Sequence, residues 1–369
     1  MQNREMLFFI GNCLGLRQFP ERVPEIREIL KSGQISWEKL VWVSSRQLVL
    51  PALYVQLRDA DLLGDLPDDL VAHLENLHAV NVRRNRIIQN QIDVIVDLLN
   101  RDGIVPIFMK GSAHMMQGLY SDIGERMIGD IDFLVPLEQI LPTVELLKGA
   151  GYSNPEGPES LETMKHYPRL RNETVAAAIE VHRQPVARPF DRRFNFDFIY
   201  NNIERLEMEG DAYALSYPHQ IIHNIMNTQM NDNAFKHWKI SLKQMYDLLL
   251  LSQRADPLET VDQFAHFPKQ LNANLIIASN LMNHPASLPY NDNKFTRRYY
   301  RRVIYFIEHP KIHRAIRILQ YLVKRITVYV SLPVNAIYNK DERKVLMKRI
   351  GDRGWYNRHL SSWRRIRNV

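Results

Sequence analysis

The chain has 369 residues, 45% hydrophobic and 24% charged, which suits one large core or two to three smaller ones and excludes wholesale disorder. Its one cysteine, Cys13, excludes an internal disulfide framework and a cysteine-rich zinc site, and fits a reducing cytoplasm. The formal net charge of +7 is unevenly spread: residues 294–369 hold 20 Lys+Arg against 4 Asp+Glu (net +16), whereas residues 1–293 hold 28 against 37 (net −9). Such asymmetry points either to an acidic partner at one end, nucleic acid or an anionic membrane, or to a solvated helical face. The opening "MQNREMLFFIGNCLGL" has too short an apolar run for a secretory signal, and "AIRILQYLVKRITVYVSLP" is broken by Lys324 and Arg325 and does not read as a membrane span.

In chain order, the first hundred residues read as helices. Ser36 is an N-cap for "WEKLVWVSSRQLVLPALYVQLRD", which Pro51 bends or splits. Asp68 or Asp69 starts a long helix with apolar residues three and four apart, ended by Gly103. "IVPIFMK" (104–110) is a short buried strand; Gly111 makes a tight turn, and Ser112 caps a helix "AHMMQGLY". "DIDFLV" is a second strand and "LEQILPTVELLKGAGY" a helix with its glycine stop. After a Pro-rich loop (153–160), "VAAAIEVH" (175–182) is a third strand, and from Ser216 the pattern is helical again. The expected division is a helical region 1–103, an α/β core 104–215, a helical domain closing a cleft 216–293, and a basic helical tail 294–369. Neither G-x-G-x-x-G nor G-x-x-x-x-G-K-[ST] occurs.

The chemistry concentrates in "MKGSAHMMQGLYSDIGERMIGDIDFLV" (109–135). On a strand, Asp130 and Asp132 project to one side while Ile131 and Phe133 bury the other. Two carboxylates so placed repel unless a cation lies between them, and Mg²⁺, shared with substrate phosphates, is the natural occupant. Gly111 and Ser112, where a strand hands over to a helix, suit an anion such as the terminal phosphates of a nucleoside triphosphate. Glu180, facing the same way as His182 on "AIEVH", is the third carboxylate that would assist an attacking hydroxyl; Glu173 is its weaker competitor. Arg126, four residues before Asp130, and Lys110, at the strand end, either reach a triphosphate or are ordinary ion-paired bases.

At these residues the sequence resembles the DNA polymerase β-type nucleotidyltransferase superfamily: a Gly-Ser turn, an Asp-x-Asp strand and a later acidic strand residue. More narrowly it is similar to the bacterial group called uncharacterised nucleotidyltransferases, through "ISWEKLV", "LPALYVQL", "GIVPIFMKGSAHMMQGLY", "ERMIGDIDFLV", "IEVHR" and "SLKQMYDLLLL". The resemblance covers roughly residues 30–255. It implies an α+β, mostly helical fold with a small mixed-sheet core flanked by helical regions. It also implies Mg²⁺-dependent (alternatively Mn²⁺-dependent) transfer of a nucleoside monophosphate, with release of pyrophosphate. The acceptor hydroxyl is left open: protein, small molecule, glycan precursor or RNA. The runner-up reading is a non-catalytic protein that senses a nucleotide in the same pocket and binds RNA or an anionic membrane through the basic tail.

Lys243 and Asp247 stand i,i+4 as a surface pair, and the resemblance turns Lys243 toward the nucleotide. His219 and His223 have a zinc-compatible i,i+4 spacing but no third ligand, so packing is expected of them; the resemblance places a histidine at His223 in the cleft. His182 reads as a satisfied half-buried histidine, and Met115, Met116 and Tyr120 as core. In the tail, "KFTRRYYRRVIYF" interleaves arginine with aromatics, and Ile312, Ile316, Leu319, Val323, Ile326 and Val330 form an apolar helical stripe. Docking to an anionic membrane, or else to nucleic acid, is expected, placing the protein in the cytoplasm or peripherally at the inner membrane face.

Overall fold

The computed structural model describes residues 1–154, 164–338, 343, 346 and 347. It divides into two compact units, Met1–Arg301 and a second beginning at Arg302. The first is α+β and mostly helical with a small mixed sheet. Four helices come first: α1 (Asn3–Leu14), α2 (Val23–Lys31), α3 (Trp37–Arg46) and α4 (Leu50–Asp59). Ser36 caps α3 through the Lys39 amide, and Pro51 sits in the first turn of α4, so the proline splits one expected helix into two.

Helix α5 (Asp68–Asn100) starts at the expected aspartates, and Gly103, just past its end, has φ +69°. Its buried stripe changes character along its length. Leu70 and Leu74 are apolar, Asn81 and Asn85 are polar, and Ile88, Ile92, Ile95, Val96 and Leu99 return to the core. The asparagine amide nitrogens donate to carbonyls of the segment before the second strand: Asn81 to Gly124 (2.7 Å) and Arg126 (3.1 Å), and Asn85 to Ile123 (2.6 Å) and Arg126 (2.8 Å), while Asn85 Oδ1 is buried without a partner among the described residues. Arg84 donates to the Ile128 and Ala176 carbonyls. Gln91 both donates to and accepts from the Ala177 backbone. One helix thus holds the backbone that leads into two strands, because a buried amide N–H left without an acceptor is costly.

The strands are β1 (Ile107–Met109), β2 (Asp130–Leu134), β3 (Ala178–His182), β4 (Ile203–Arg205) and β5 (Tyr213–Leu215), in the order β3-β2-β1-β5-β4. β1 is antiparallel to β2 and parallel to β5; β2 and β3 are parallel; β4 and β5 are antiparallel. The last two strands, three residues each, are too short to show a period-2 pattern in the sequence. β3 is also shorter than expected, starting at Ala178 rather than at Val175. One sheet face packs Phe108, Ile131, Phe133, Ile179 and Val181 against Ile88, Ile92 and Ile95 of α5, with the Phe108 and Phe133 rings edge to face at 5.7 Å. Truncating either ring to alanine costs about 3–5 kcal/mol by the usual cavity rule.

Between strands lie α6 (Lys110–Met116), α7 (Ile140–Gly149) and α8 (Phe196–Tyr200). The rest of this unit is helical: α9 (Tyr217–Met226), continued by a π-turn over Asn227–Asn231, then α10 (Ala234–His237), α11 (Leu242–Leu251), α12 (Pro257–Phe264) and α13 (Pro268–Leu281). Helix α1 packs on α13 so closely that a Cβ added at Gly11 would lie 2.1 Å from the Leu281 carbonyl oxygen. Helices α14 (Lys294–Glu308) and α15 (Pro310–Tyr338) carry the basic segment. No helix among the described residues is long and apolar enough to cross a membrane.

Candidate functional site

The polar sheet face is built by register. Asp132 lies opposite Glu180 and Asp130 opposite Ala178 across the β2–β3 pair, so both aspartates, Glu180 and His182 share the face turned away from the phenylalanine core. Asp132 Oδ1 accepts from Lys110 Nζ and from His182 Nε2 (2.9 Å). Glu180 Oε1 accepts from Arg169 (2.9 and 3.2 Å), and its Oε2 lies 3.4 Å from His182 Nε2. The same Arg169 nitrogen is 2.9 Å from Asp130 Oδ2. Three carboxylates are thus gathered and partly neutralised by Lys110 and Arg169. Glu173 stands apart, exposed in the turn before β3, and does not join them.

Burial works to raise the Asp132 carboxyl, but Lys110 and the His182 hydrogen bond overcome it and hold Asp132 well below the usual carboxylate range. Glu180 is likewise pushed up by burial yet brought down to about 2, chiefly by His182. Asp130 goes the other way: burial raises it, Arg169 opposes, and the charges of Glu180 and Asp132 add to the rise. Ligand atoms of Asp132, Glu180 and His182 lie within 4.8 Å of one another, close enough to hold a metal ion. Nδ1 of His182, however, is buried with no hydrogen-bond partner. A metal-bound imidazole ordinarily donates its second N–H to an acceptor, so His182 is better set to donate through Nε2 to Asp132. Asp130 Oδ1 and Asp132 Oδ2 accept no hydrogen bond among the described residues. That leaves an all-oxygen donor set, which fits Mg²⁺ or Mn²⁺.

The aspartates open on a cavity of about 240 Å³ between the sheet and the helices that follow it. Lys110, Gly111, Gly129, Asp130 and Asp132 form one wall; Gln220, His223 and Asn224 of α9, Asn227 and Asp232 of the π-turn and its end, and Lys243, Gln244 and Asp247 of α11 form the other. Lys110 leaves β1 with φ +54°, a conformation costing an L-residue roughly 1–2 kcal/mol, and its ammonium returns to Asp132. Gly111 lines the cavity, and a Cβ there would meet only Ile128 and the end of Arg126 at 3.5–4.0 Å. Ser112 corrects the sequence expectation. Helix α6 begins at Lys110, and the buried Ser112 hydroxyl donates to the Met109 (2.8 Å) and Asp132 (3.3 Å) carbonyls instead of capping a later start.

Arg126 lines the cavity, yet it is committed to Asp247 (2.7 and 2.9 Å) and Tyr120 (3.0 Å). Asp247 is therefore buried rather than a surface partner of Lys243, and Tyr120 donates to it as well (2.6 Å). Lys243 has no ion pair within 4.0 Å among the described residues, and burial, then Arg126, lowers it to about 8 against the opposing charges of Asp247 and Asp232. His223 lines the cavity, accepted by the Pro185 carbonyl (3.0 Å) and stacked on Phe194; His219 packs edge-on to Phe194. His182 is fully buried, not half-buried.

Two features escaped sequence reasoning. Arg169 lies in a segment that pairs antiparallel with β3 through single bridges, which leaves no periodic signal. The amide wall did leave one: Gln220 and Asn224 of α9 and Asn227 of the π-turn recur at helical spacing beside His223.

A family model described as uncharacterised nucleotidyltransferase matches residues 33–281. The chain belongs to that family. In this family member the match takes in α3 to α13, hence the whole sheet and both cavity walls, and stops short of the basic helices. No match was found among curated proteins.

Proposed function

We propose that the protein transfers a nucleoside monophosphate from a nucleoside triphosphate to an acceptor hydroxyl, with release of pyrophosphate. The observation that carries the reading is the register pairing of Asp132 with Glu180, beside Asp130, at the mouth of a cavity whose opposite wall presents Lys243. Asp130 and Asp132 are the metal ligands. Mg²⁺ or Mn²⁺ bound there supplies charge neutralisation at the phosphates and the reacting oxygens. Glu180, ionised and held by His182, orients the acceptor's hydroxyl or accepts its proton. Gly111 allows close approach of a phosphate, and Lys110, Lys243 and the face of Arg126 supply positive charge around it; Ser112 supports the strand–helix junction from behind. The work is positioning and electrostatics, as phosphoryl chemistry generally requires.

The test is pyrophosphate release on mixing protein, Mg²⁺ or Mn²⁺ and each α-labelled triphosphate with cell extract. Label appearing on protein, RNA, glycan precursor or small molecule identifies the acceptor. Tight triphosphate binding with no label transfer and no pyrophosphate would favour a nucleotide sensor instead.

The basic segment docks this enzyme on an anionic membrane at the cytoplasmic face. Arg297, Arg298 and Arg301 are exposed on α14, while Tyr299 of the same helix stacks on Phe235 at 4.8 Å and donates to its carbonyl. Ile312, Leu319 and Val323 on α15 are exposed; the side chains of Ile326 and Val330 lie outside the described residues.

A further inference from the structure

We propose that Arg169 is the displaceable counter-ion of the metal site: its guanidinium bridges Asp130 and Glu180 until a divalent cation takes up that charge. The inference rests on the metal-dependent reading above and assigns Arg169 a positioning role in it.

One guanidinium nitrogen lies 2.9 Å from Asp130 Oδ2 and 2.9 Å from Glu180 Oε1. Ala178, opposite Asp130 in register, carries only a methyl group. The burial is lopsided. The Arg169 side chain remains 41% exposed, whereas those of Glu180 and Asp130 are 11% and 25% exposed. The carboxylates are fixed by their strands and the arginine clamps them from the solvent side, so on release it re-enters water while they stay in place. Lys110 is placed otherwise. It is 24% exposed, anchored at the start of α6, and holds an Asp132 oxygen that His182 also holds. A dication shared by Asp130 and Asp132 would sit within a few ångströms of the Arg169 guanidinium, and like charges at that range disfavour joint occupancy. Metal entry and the Arg169 bridge therefore compete. The bridge holds Asp130 and Glu180 together while no metal is bound, and marks the cation that leaves.

The experiment is a titration of the full-length protein with Mn²⁺ alone, without nucleotide, followed by calorimetry and by the spin-resonance signal of free Mn²⁺. Wild type is compared with Arg169→Ala, Arg169→Gln, Arg169→Lys, Asp130→Asn and Arg171→Ala. Arg171 is the charge control, two residues away, exposed, and with no ion pair to a carboxylate among the described residues. Arg169→Ala and Arg169→Gln should bind Mn²⁺ about tenfold tighter than wild type, the effect expected of one opposing charge at contact. Arg169→Lys should fall between, Arg171→Ala should stay near wild type, and Asp130→Asn should lose binding. Metal-free Arg169→Ala should also melt below wild type and recover more of its melting temperature on Mn²⁺ addition. Unchanged or weaker affinity in both Arg169 variants, or an equal gain in Arg171→Ala, overturns the inference alone. No Mn²⁺ binding by wild type overturns the metal reading, and the inference with it.

Discussion

Arg126 and Asp247, 121 residues apart, meet as a two-point ion pair, Nε to Oδ1 at 2.9 Å and a terminal nitrogen to Oδ2 at 2.7 Å. Both are buried, and the pair ties the segment entering β2 to α11 on the far wall of the cavity. Burial works to raise Asp247, but Arg126 outweighs it and keeps the carboxyl low. Removing either partner strands a buried charge, which costs about 3–5 kcal/mol. Urea denaturation of Asp247→Ala and Arg126→Ala should show losses of that order. A loss under 1 kcal/mol in both would mean the pair holds nothing together.

The two aspartates of β2 should separate in stability while agreeing in activity. The sequence suggests that losing either relieves repulsion and leaves the fold at least as stable. Asp132 reverses that expectation, since Asp132→Ala leaves Lys110 and His182 without their shared acceptor, at a cost of about 3 kcal/mol. Asp130 is partly exposed and its carboxyl is raised, so Asp130→Ala should melt near wild type. Both should lower transfer on the order of a hundredfold or more. Equal melting temperatures would contradict the difference in their surroundings.

Triphosphate affinity should fall as pH rises through about 8. The Lys243 ammonium, lowered to about 8 by burial and then Arg126, carries its charge below that pH and loses it above, whereas free lysine keeps it to about 10.4. Lys243→Arg stays charged throughout, so its binding curve between pH 7 and 9 should be flat. A wild-type curve as flat as the variant's would remove Lys243 from the phosphate contacts.

Gly11→Ala should unfold readily. The new methyl would lie 2.1 Å from a backbone oxygen of α13, so the helices must part, and overpacking of this kind costs about 1–3 kcal/mol or more. A melting temperature within a degree of wild type would show that α1 is free to slide.

Replacing Arg297, Arg298 and Arg301 together with glutamate in the full-length protein should abolish co-sedimentation with phosphatidylglycerol vesicles at low salt. Each basic residue near an anionic leaflet contributes about 1 kcal/mol, screened by salt. Pyrophosphate release in solution should be unchanged. Wild type that sediments with RNA and not with vesicles would move the partner from membrane to nucleic acid.

What could be read in the sequence follows from the range of the forces involved. Helix starts at Ser36 and Asp68, the split at Pro51 and the strand of Asp130 and Asp132 depend on neighbours a few residues away, and all were legible. So was the order of Gly111, Asp132 and Glu180, of which register then set Asp132 opposite Glu180. Partnerships across the chain were not. Lys243 and Asp247 have ideal helical spacing, yet Asp247 turns inward because Arg126 arrives from another segment. Ser112 reads as a cap, but a buried hydroxyl close to two carbonyls donates to them. Arg169 had no pattern to betray it.

Helix α5 carries a consequence for how damage to this protein would be diagnosed. Asn81, Arg84, Asn85 and Gln91 line none of the cavity, yet their side chains grip the backbone of Ile123, Gly124, Arg126, Ile128, Ala176 and Ala177. Both acid-bearing strands are therefore set from a single ruler, and an error at one notch misaligns the carboxylates relative to each other rather than unfolding the chain. A mutational scan would score these four positions as though they touched the reacting groups, and a patient chemist looking only inside the pocket would not find the cause.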